Sequence, residues 1–153
     1  MLKDHGRRGL VSAWMSFRAL TSPVAFGVTG AVFDEQVLVL LVRQGYVSGW
    51  RLPGGGVGRG EAPEAAVRRE LAEEVGLSGG TASLFGLYTR KAGLATHLVA
   101  LYRIGGAAIA FKPNWEVREI LFADPQAPPP DTAVTTLRRL RELTGAETVT
   151  PFW

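Results

Sequence analysis

The stretch from Leu52 to Leu77, which reads LPGGGVGRGEAPEAAVRRELAEEVGL, constrains the fold of this 153-residue chain more than any other. Five of its first nine residues are glycine, and glycine loses more conformational freedom on folding than any other residue. A helix is predicted to follow, because Pro63 suits a first helical turn and Gly76 suits a helix exit. A loop that is costly to order, followed directly by an acidic helix, indicates that something binds between the two.

Three glutamates of this helix, Glu70, Glu73 and Glu74, lie at positions i, i+3 and i+4 and therefore share one flank. They lie beside the apolar stripe, where partial desolvation raises the energy of unpaired charge. Exposed glutamates paired with neighbouring arginines would give the same pattern, so the cluster by itself leaves both interpretations open. Oxygen ligands with no histidine or cysteine nearby favour a hard cation, Mg²⁺ or Mn²⁺, which would relieve the repulsion.

From Gly55 to Leu77 the sequence resembles the full signature of the Nudix hydrolase superfamily, G-x5-E-x7-R-E-U-x-E-E-x-G-U, with no departure at its nine fixed or class-restricted positions. The resemblance implies an α+β protein with a mixed β-sheet sandwiched between α-helices. It also implies a metal-dependent pyrophosphohydrolase that uses Mg²⁺, with Mn²⁺ as the alternative ion.

The resemblance implies a role for each matching acidic residue. Glu73 and Glu74 match the principal metal-ligand positions, and the backbone carbonyl of Gly54 matches a further ligand. Glu70 matches a position that ligates the metal or deprotonates the attacking water. These residues are therefore the predicted metal and catalytic set.

Two further features follow from the same resemblance. Glu61 and Arg69 match a pair that usually bond to each other and brace the loop, which is a supporting role and not direct chemistry. Many relatives also use a glutamate beyond the signature as metal ligand or general base. Glu116 and Glu119 are the candidates here, and Glu116 is favoured because it lies nearer the loop before the last predicted strand.

The predicted substrate-binding residues surround the glycine loop. Gly55 and Gly56 let backbone groups approach phosphates closely, and Arg51 and Arg90 could meet phosphate charge. Trp50 could stack on a base, although packing is the commoner role of a tryptophan. Further aromatic and basic candidates of the same kind are Tyr46, Trp115, Arg43 and Lys91. His97 is expected to lie within a strand without a catalytic role.

The predicted function is hydrolysis of the diphosphate linkage in a nucleoside diphosphate joined to another moiety. The alternative is a catalytically silent nucleotide-binding regulator, although such relatives commonly lose signature glutamates and this chain keeps them all. Isoprenoid diphosphate isomerisation in its familiar form depends on a cysteine, and this chain has none. A nucleotide-derived small molecule is therefore the expected partner.

Composition adds only weak constraints. The net charge is +3, and the basic clusters at 5–8 and 137–142 are interpreted as solvated helix faces, so nucleic acid is an unlikely partner. No apolar run is long enough to cross a membrane, and the lack of cysteine is compatible with a cytoplasmic location. The aromatic segment TVTPFW could pack on its own domain or on a second subunit, which leaves a homodimer open.

The chain is expected to divide into an N-terminal amphipathic helical extension (1–21), a catalytic domain (22–144) and a C-terminal tail (145–153). Helical spacing of Leu10, Trp14 and Phe17 predicts that the extension covers the domain. Strands are predicted at 23–33, 37–42, 50–52, 82–90, 95–104 and 117–124, the first two forming a hairpin. A last helix is predicted with Asp131 as its cap and a buried side formed by Val134, Leu137, Leu140 and Leu143.

Overall fold

The computed structural model describes residues 12–18, 20–21 and 23–153. Its strands are β1 (Val24–Phe33), β2 (Val39–Gln44), β3 (Trp50–Arg51), β4 (Gly54–Gly56), β5 (Leu77–Ala92), β6 (Ala95–Ile109) and β7 (Val117–Ala123). Its helices in the same part of the chain are α1 (Pro63–Val75) and α2 (Val134–Leu143), and residues 12–18 and 20–21 are also helical.

Strand β1 organises a mixed sheet of order β3-β2-β1-β6-β5. It pairs with β6 in parallel over its whole length, whereas β5 and β6 pair antiparallel. On its other edge, β1 meets β2 at the Phe33–Val39 pair, and β4 fills the rest by pairing with residues 27–29. Strand β2 turns away to pair with β3 and β7. The predicted hairpin is confirmed, and the glycine segment occupies the gap that the departing β2 leaves.

Each face of the sheet carries one helix. Val32, Leu40 and Val42 pack with α1 on one face, while their neighbours Val39 and Leu41 pack with α2 on the other. Alternation arises because successive side chains of a strand point to opposite faces. This confirms the predicted α+β sandwich, and it explains why residues 39–42 are apolar without interruption. Val37, which the sequence predicts at the start of this strand, lies outside β2 and is 56% exposed.

Several predicted boundaries change. Strand β5 begins at Leu77 and not at Ala82, and β6 continues to Ile109, because these strands pair along their full lengths. The prediction for α2 is wrong at its start: Ala133 is the N-cap, and Val134 is 74% exposed. Asp131 instead bonds to Arg43, with Oδ2 and Nη2 2.6 Å apart.

The interpretation of residues 137–142 as a solvated basic face is also wrong in part. Arg139 and Glu142 are both buried and form an ion pair at 3.0 Å. They belong to the face that carries Leu140 and Leu143, the two predicted core residues of α2 that are buried.

The two ends of the described chain differ in how far they pack on the domain. Trp14 and Phe17 are each 61% exposed, so the predicted covering of the domain is not observed for them, and Leu10 lies outside the described residues. The segment 150–153 packs on its own domain, where Phe152 bridges to Thr89 of β5. None of the helices in the described ranges is long and apolar enough to cross a membrane.

Helix α1 contacts the sheet so closely that Gly30 has no space for a side chain. A methyl group there would lie 2.6 Å from Leu71 Cδ2. Gly30→Ala should therefore destabilise the protein by about 1–3 kcal/mol, and Leu71→Ala by about 2–5 kcal/mol. The double variant should lose less than the sum, because the new methyl group occupies part of the cavity. Urea unfolding measures each value.

Gly105→Ala is the matched control, because a methyl group at Gly105 would meet nothing within 4 Å. It should be close to neutral. Strictly additive losses in the double variant would contradict the contact between Gly30 and Leu71.

Candidate active site

The site begins where the last turns of α1 meet the backbone of β4. Glu74, only 3% exposed, accepts a hydrogen bond from the N–H of Gly54 through Oε2, at 2.9 Å. Strand β4 is itself held against β1 so tightly that a methyl group on Gly54 would lie 2.1 Å from the carbonyl oxygen of Val28. The buried carboxylate and the glycine backbone therefore have fixed relative positions.

Glu70 lies against the next residue of the same segment. A methyl group on Gly55 would lie between 2.2 and 2.7 Å from the carboxylate atoms of Glu70, so only glycine leaves room for that side chain. The carboxylate is also bonded to Arg69, whose Nη1 lies 2.8 Å from Oε1. Glu70 and Glu74 thus contact consecutive glycines of one loop.

The loop is braced by the pair that the resemblance implies. Arg69 donates to both carboxylate oxygens of Glu61 at 2.9 Å, and to the carbonyl oxygen of Gly56 at 3.0 Å. Glu61 also accepts the N–H of Gly58. Arg69 first, and then this N–H group, lower the pKa of Glu61 to about 2, while Glu61 and Glu70 raise the pKa of Arg69. The brace is therefore charged on both sides.

Glu74 differs from Glu61, because its pKa is raised and not lowered. Its pKa is raised to about 7, mainly by burial and in addition by the negative charges of Glu116 and Glu70, against the lowering effect of the Gly54 N–H. Glu116 therefore lies within electrostatic reach of the cluster. Asn114 holds it there, since its side chain donates to the carbonyl of Glu74 and accepts the N–H of Glu116.

Glu119 does not share that location. It lies in β7 opposite Arg43, and its side chain is exposed. The geometry therefore favours Glu116 over Glu119 as the downstream glutamate, in agreement with the preference that the sequence gives.

Carboxylate oxygens are the ligands that a hard divalent cation prefers, but these side chains do not converge on one point. Glu73 is 60% exposed and reaches only Arg69, at 3.7 Å. Among the described residues, no three acidic, histidine or cysteine side chains form a ready metal cluster. The accumulated negative charge beside Glu74 is what a divalent ion would neutralise.

A cleft of about 490 Å³ borders the glycine segment. This volume lies within the range of small-molecule sites. Its lining includes the predicted residues Gly54, Gly55, Gly56, Arg51 and Arg90. The buried Nε of Arg51 has no hydrogen-bond partner within the described part of the chain.

Trp50, which the sequence predicts as a stacking residue, does not line this cleft. It is 7% exposed and packs in the core beneath α2, with the guanidinium of Arg43 4.5 Å from its ring centre. Packing therefore accounts for Trp50. Tyr46 and Trp115 are exposed, and Tyr46 is close enough to Glu116, Glu74 and Glu70 for these charges to help burial raise its pKa.

His97 lies in β6, as predicted, and it also lines the cleft. Its Nδ1 accepts a hydrogen bond from Nε of Arg90 at 2.8 Å, so the neutral ring carries its proton on Nε2. Burial, and then the charge of Arg90, lower the pKa of His97. A neutral donor therefore stands beside a fixed cation in the cleft.

The sequence does not predict three other cleft residues, Phe26, Thr136 and Trp153. They come from β1, from the first turn of α2 and from the segment 150–153. A partial signal exists for Thr136, because it falls three and four residues before Arg139 and Leu140 on one helical face.

Comparisons with known proteins agree with this architecture. The sequence profile of the NUDIX domain matches residues 21–141. A protein of Bacillus subtilis named "Putative 8-oxo-dGTP diphosphatase" is 39% identical over 80 residues, which cover 52% of this chain and 54% of that protein. An RNA pyrophosphohydrolase of Proteus mirabilis is 47% identical over 47 residues, which cover 31% of this chain and 27% of that protein. The chain thus spans about half the length, or less, of these two relatives.

Solved structures show the same fold. A MutT NUDIX hydrolase from Burkholderia pseudomallei superposes with a TM-score of 0.70 at 19% identity, covering 80% of this chain and 99% of that one. A MutT protein from Methanosarcina mazei gives 0.66 at 20% identity, covering 84% and 98%. At these identities the likeness concerns the fold.

The contact between Arg90 and His97 predicts a titration. In the wild type the pKa of His97 should lie below its ordinary value, because the ring is partly buried and lies beside the positive charge of Arg90. Arg90→Gln should raise this pKa only part of the way back, since burial, the larger cause, remains. NMR titration of the imidazole signals measures both.

Lys91→Gln is the control, since it removes one positive charge from the adjacent, exposed position. It should leave the titration of His97 nearly unchanged. Equal shifts in the two variants would mean that net charge, and not the bond, sets the pKa.

Proposed function

The chain belongs to the NUDIX domain family, and from that premise we propose that it is a metal-dependent hydrolase that cleaves the diphosphate linkage of a nucleoside diphosphate derivative. The family match spans most of the chain, and the signature between Gly55 and Leu77 keeps every acidic position. Glu70, Glu73, Glu74 and Glu116 are the proposed acidic set.

One observation carries the proposal: the segment Gly54–Gly55 is shared by the carboxylates and by the cleft. Glu74 bonds to Gly54, the Glu70 carboxylate lies against Gly55, and both glycines line the cleft. A diphosphate lying in the cleft would therefore meet bare backbone, with negative side chains immediately behind it. Such a group would be repelled unless a cation lay between them.

Glu70, Glu73, Glu74 and the carbonyl of Gly54 would hold that cation, with Mg²⁺ expected and Mn²⁺ as the alternative. When bound, a divalent ion supplies charge neutralisation at a phosphoryl oxygen and a lower pKa for water. Glu61 and Arg69 would keep the loop in place while Glu70 leaves its bond to Arg69.

Side chains of the protein would carry out proton transfer and phosphate binding. Glu70 or Glu116 would accept the proton of the attacking water, whose oxygen bonds to one phosphorus as the bond from that phosphorus to the bridging oxygen breaks. Arg51 and Arg90 would bind phosphate charge in the cleft. The products are a phosphate or pyrophosphate and a nucleoside monophosphate or related fragment.

A small nucleotide is the proposed substrate class. The names of the two relatives mention 8-oxo-dGTP and RNA. We favour a small nucleotide because the basic cluster in α2 is partly buried, with Arg139 inside the core. A cytoplasmic location and a homodimer stay predictions.

The alternative is a protein that binds a nucleotide without hydrolysing it. One observation favours it: Glu70 is held by Arg69, and Glu73 is exposed. A panel of substrates with Mg²⁺ or Mn²⁺ separates the two functions. It should contain nucleoside triphosphates, 8-oxo-dGTP, ADP-ribose, nucleotide sugars, dinucleoside polyphosphates and 5′-triphosphate RNA. Nucleotide binding with no turnover across the panel would favour the alternative.

The acidic set gives the main prediction. Glu73→Gln and Glu74→Gln should each lower the rate by on the order of 10²-fold or more, because each removes a charge that the cation needs. The amide oxygen of glutamine can still accept the Gly54 N–H, so the Glu74 variant should fold. Phosphate release measures the rate, and circular dichroism checks the fold.

Glu64→Gln is the matched control, since Glu64 lies on the same helix but pairs with Arg68 at its outer surface. It should keep wild-type activity. In addition, Mg²⁺ should raise the melting temperature of the wild type and of the Glu64 variant, but not of the Glu73 and Glu74 variants. Full activity in either of the latter would exclude the proposed cation site.

A further inference from the structure

A buried charged pair lies under one wall of the cleft, on the sheet face opposite α1. Arg139 and Glu142 are fully buried in α2, and their side chains are 3.0 Å apart. Glu142 also accepts the hydroxyl hydrogen of Tyr88 at 2.8 Å and the N–H of Thr150 at 3.1 Å. Arg139 donates to the carbonyl oxygen of Phe152 at 3.0 Å. Both charged side chains therefore form hydrogen bonds with the segment 150–153.

The backbone of this segment is fixed as well. Thr89 of β5 donates to the carbonyl of Pro151 at 2.8 Å and accepts the N–H of Trp153 at 3.0 Å. Phe152 thus sits in a parallel bridge at the sheet edge, with its own side chain 65% exposed. The segment is therefore a short added strand. Its backbone bonds fix the position of the residue after Phe152, which is Trp153.

Trp153 contacts Tyr88 and Arg139. The ring of Tyr88 meets it edge-on, with centroids 5.5 Å apart and planes at 75°, and the Arg139 guanidinium lies 5.2 Å from its centre. The residue is half-buried and lines the cleft together with Gly55, Arg51 and Arg90. The cleft is therefore lined by an aromatic residue, by two cationic side chains and by glycine backbone.

Stability alone does not explain this arrangement. A buried ion pair is often no more stabilising than apolar residues of the same volume, because both charges lose their hydration. Such a pair supplies directional hydrogen bonds. Here the bonds from the pair to other residues end on the segment 150–153 or on Tyr88, which contacts Trp153. The free-energy cost of burying the pair is consistent with a requirement for a fixed aromatic ring.

We propose that Trp153 stacks on the nucleobase of the substrate, and that Arg139 positions it. This inference rests on the proposed function, since it assumes that a nucleotide occupies the cleft. Trp153 supplies sequence-tolerant stacking, whereas Arg51 and Arg90 meet the phosphates. Discrimination between bases then falls to the polar groups nearby, such as His97 and Thr136.

Binding of GDP and ADP, measured by isothermal titration calorimetry, tests the stacking. Trp153→Ala should weaken both by roughly 5- to 150-fold, the range that base stacking on an aromatic side chain gives. Trp153→Phe should keep most of the affinity. Inorganic tripolyphosphate, which has no base, should bind the wild type and both variants equally.

Phe152→Ala is the matched control, because it shortens the neighbouring side chain, which does not line the cleft, and leaves the strand bonds intact. It should bind GDP like the wild type. Unchanged GDP binding in Trp153→Ala, with catalysis intact, would overturn the stacking role and leave the proposed function standing. A wild type that neither binds nor hydrolyses nucleotides would overturn both.

A double-variant cycle tests the positioning role of Arg139. Arg139→Met keeps the volume and removes the bonds to Phe152 and Glu142. It should weaken GDP binding, but adding Trp153→Ala should cause little further loss, because the first change acts through Trp153. Fully additive losses, or a loss of tripolyphosphate binding in Arg139→Met, would overturn this role.

Discussion

The hydrogen bond from the Gly54 N–H to the carboxylate of Glu74 joins the parts on which the site depends. On one side of it is helix α1, whose apolar stripe fixes it to the sheet; on the other is β4, which is held by β1. Because α1 is packed on the sheet and β4 is paired with β1, the backbone of the acidic helix stays next to the glycine segment. The same glycine segment lines the cleft.

Two buried acids in the described part of the chain differ in their surroundings. Glu142 is paired with Arg139 and bonded on both oxygens. Glu74 accepts the N–H of Gly54, and burial, together with the charges of Glu116 and Glu70, raises its pKa to about 7. A buried carboxylate with a raised pKa is typical of functional sites.

The two sheet faces also contribute differently. The face covered by α1 supplies acidic oxygens, and their spacing is local in the sequence. The cleft draws its lining from both faces, since Phe26 packs with the cluster under α1 and Trp153 packs with the cluster under α2. The acidic flank and the cleft meet at the glycine segment, which borders both.

The sequence by itself determined whatever depends on local spacing: the signature, helix α1 with its acidic flank, six strands and the α+β class, but not strand β4 at Gly54–Gly56. The resemblance of the signature also implied the pair of Glu61 and Arg69, which are bonded. Only the tertiary structure decided that Trp50 is buried, that Arg139 and Glu142 form a pair inside the core, and that Trp153 reaches the cleft. The physical reason is that helical and strand periodicities fix which residues share a face, whereas burial depends on which distant segment covers that face.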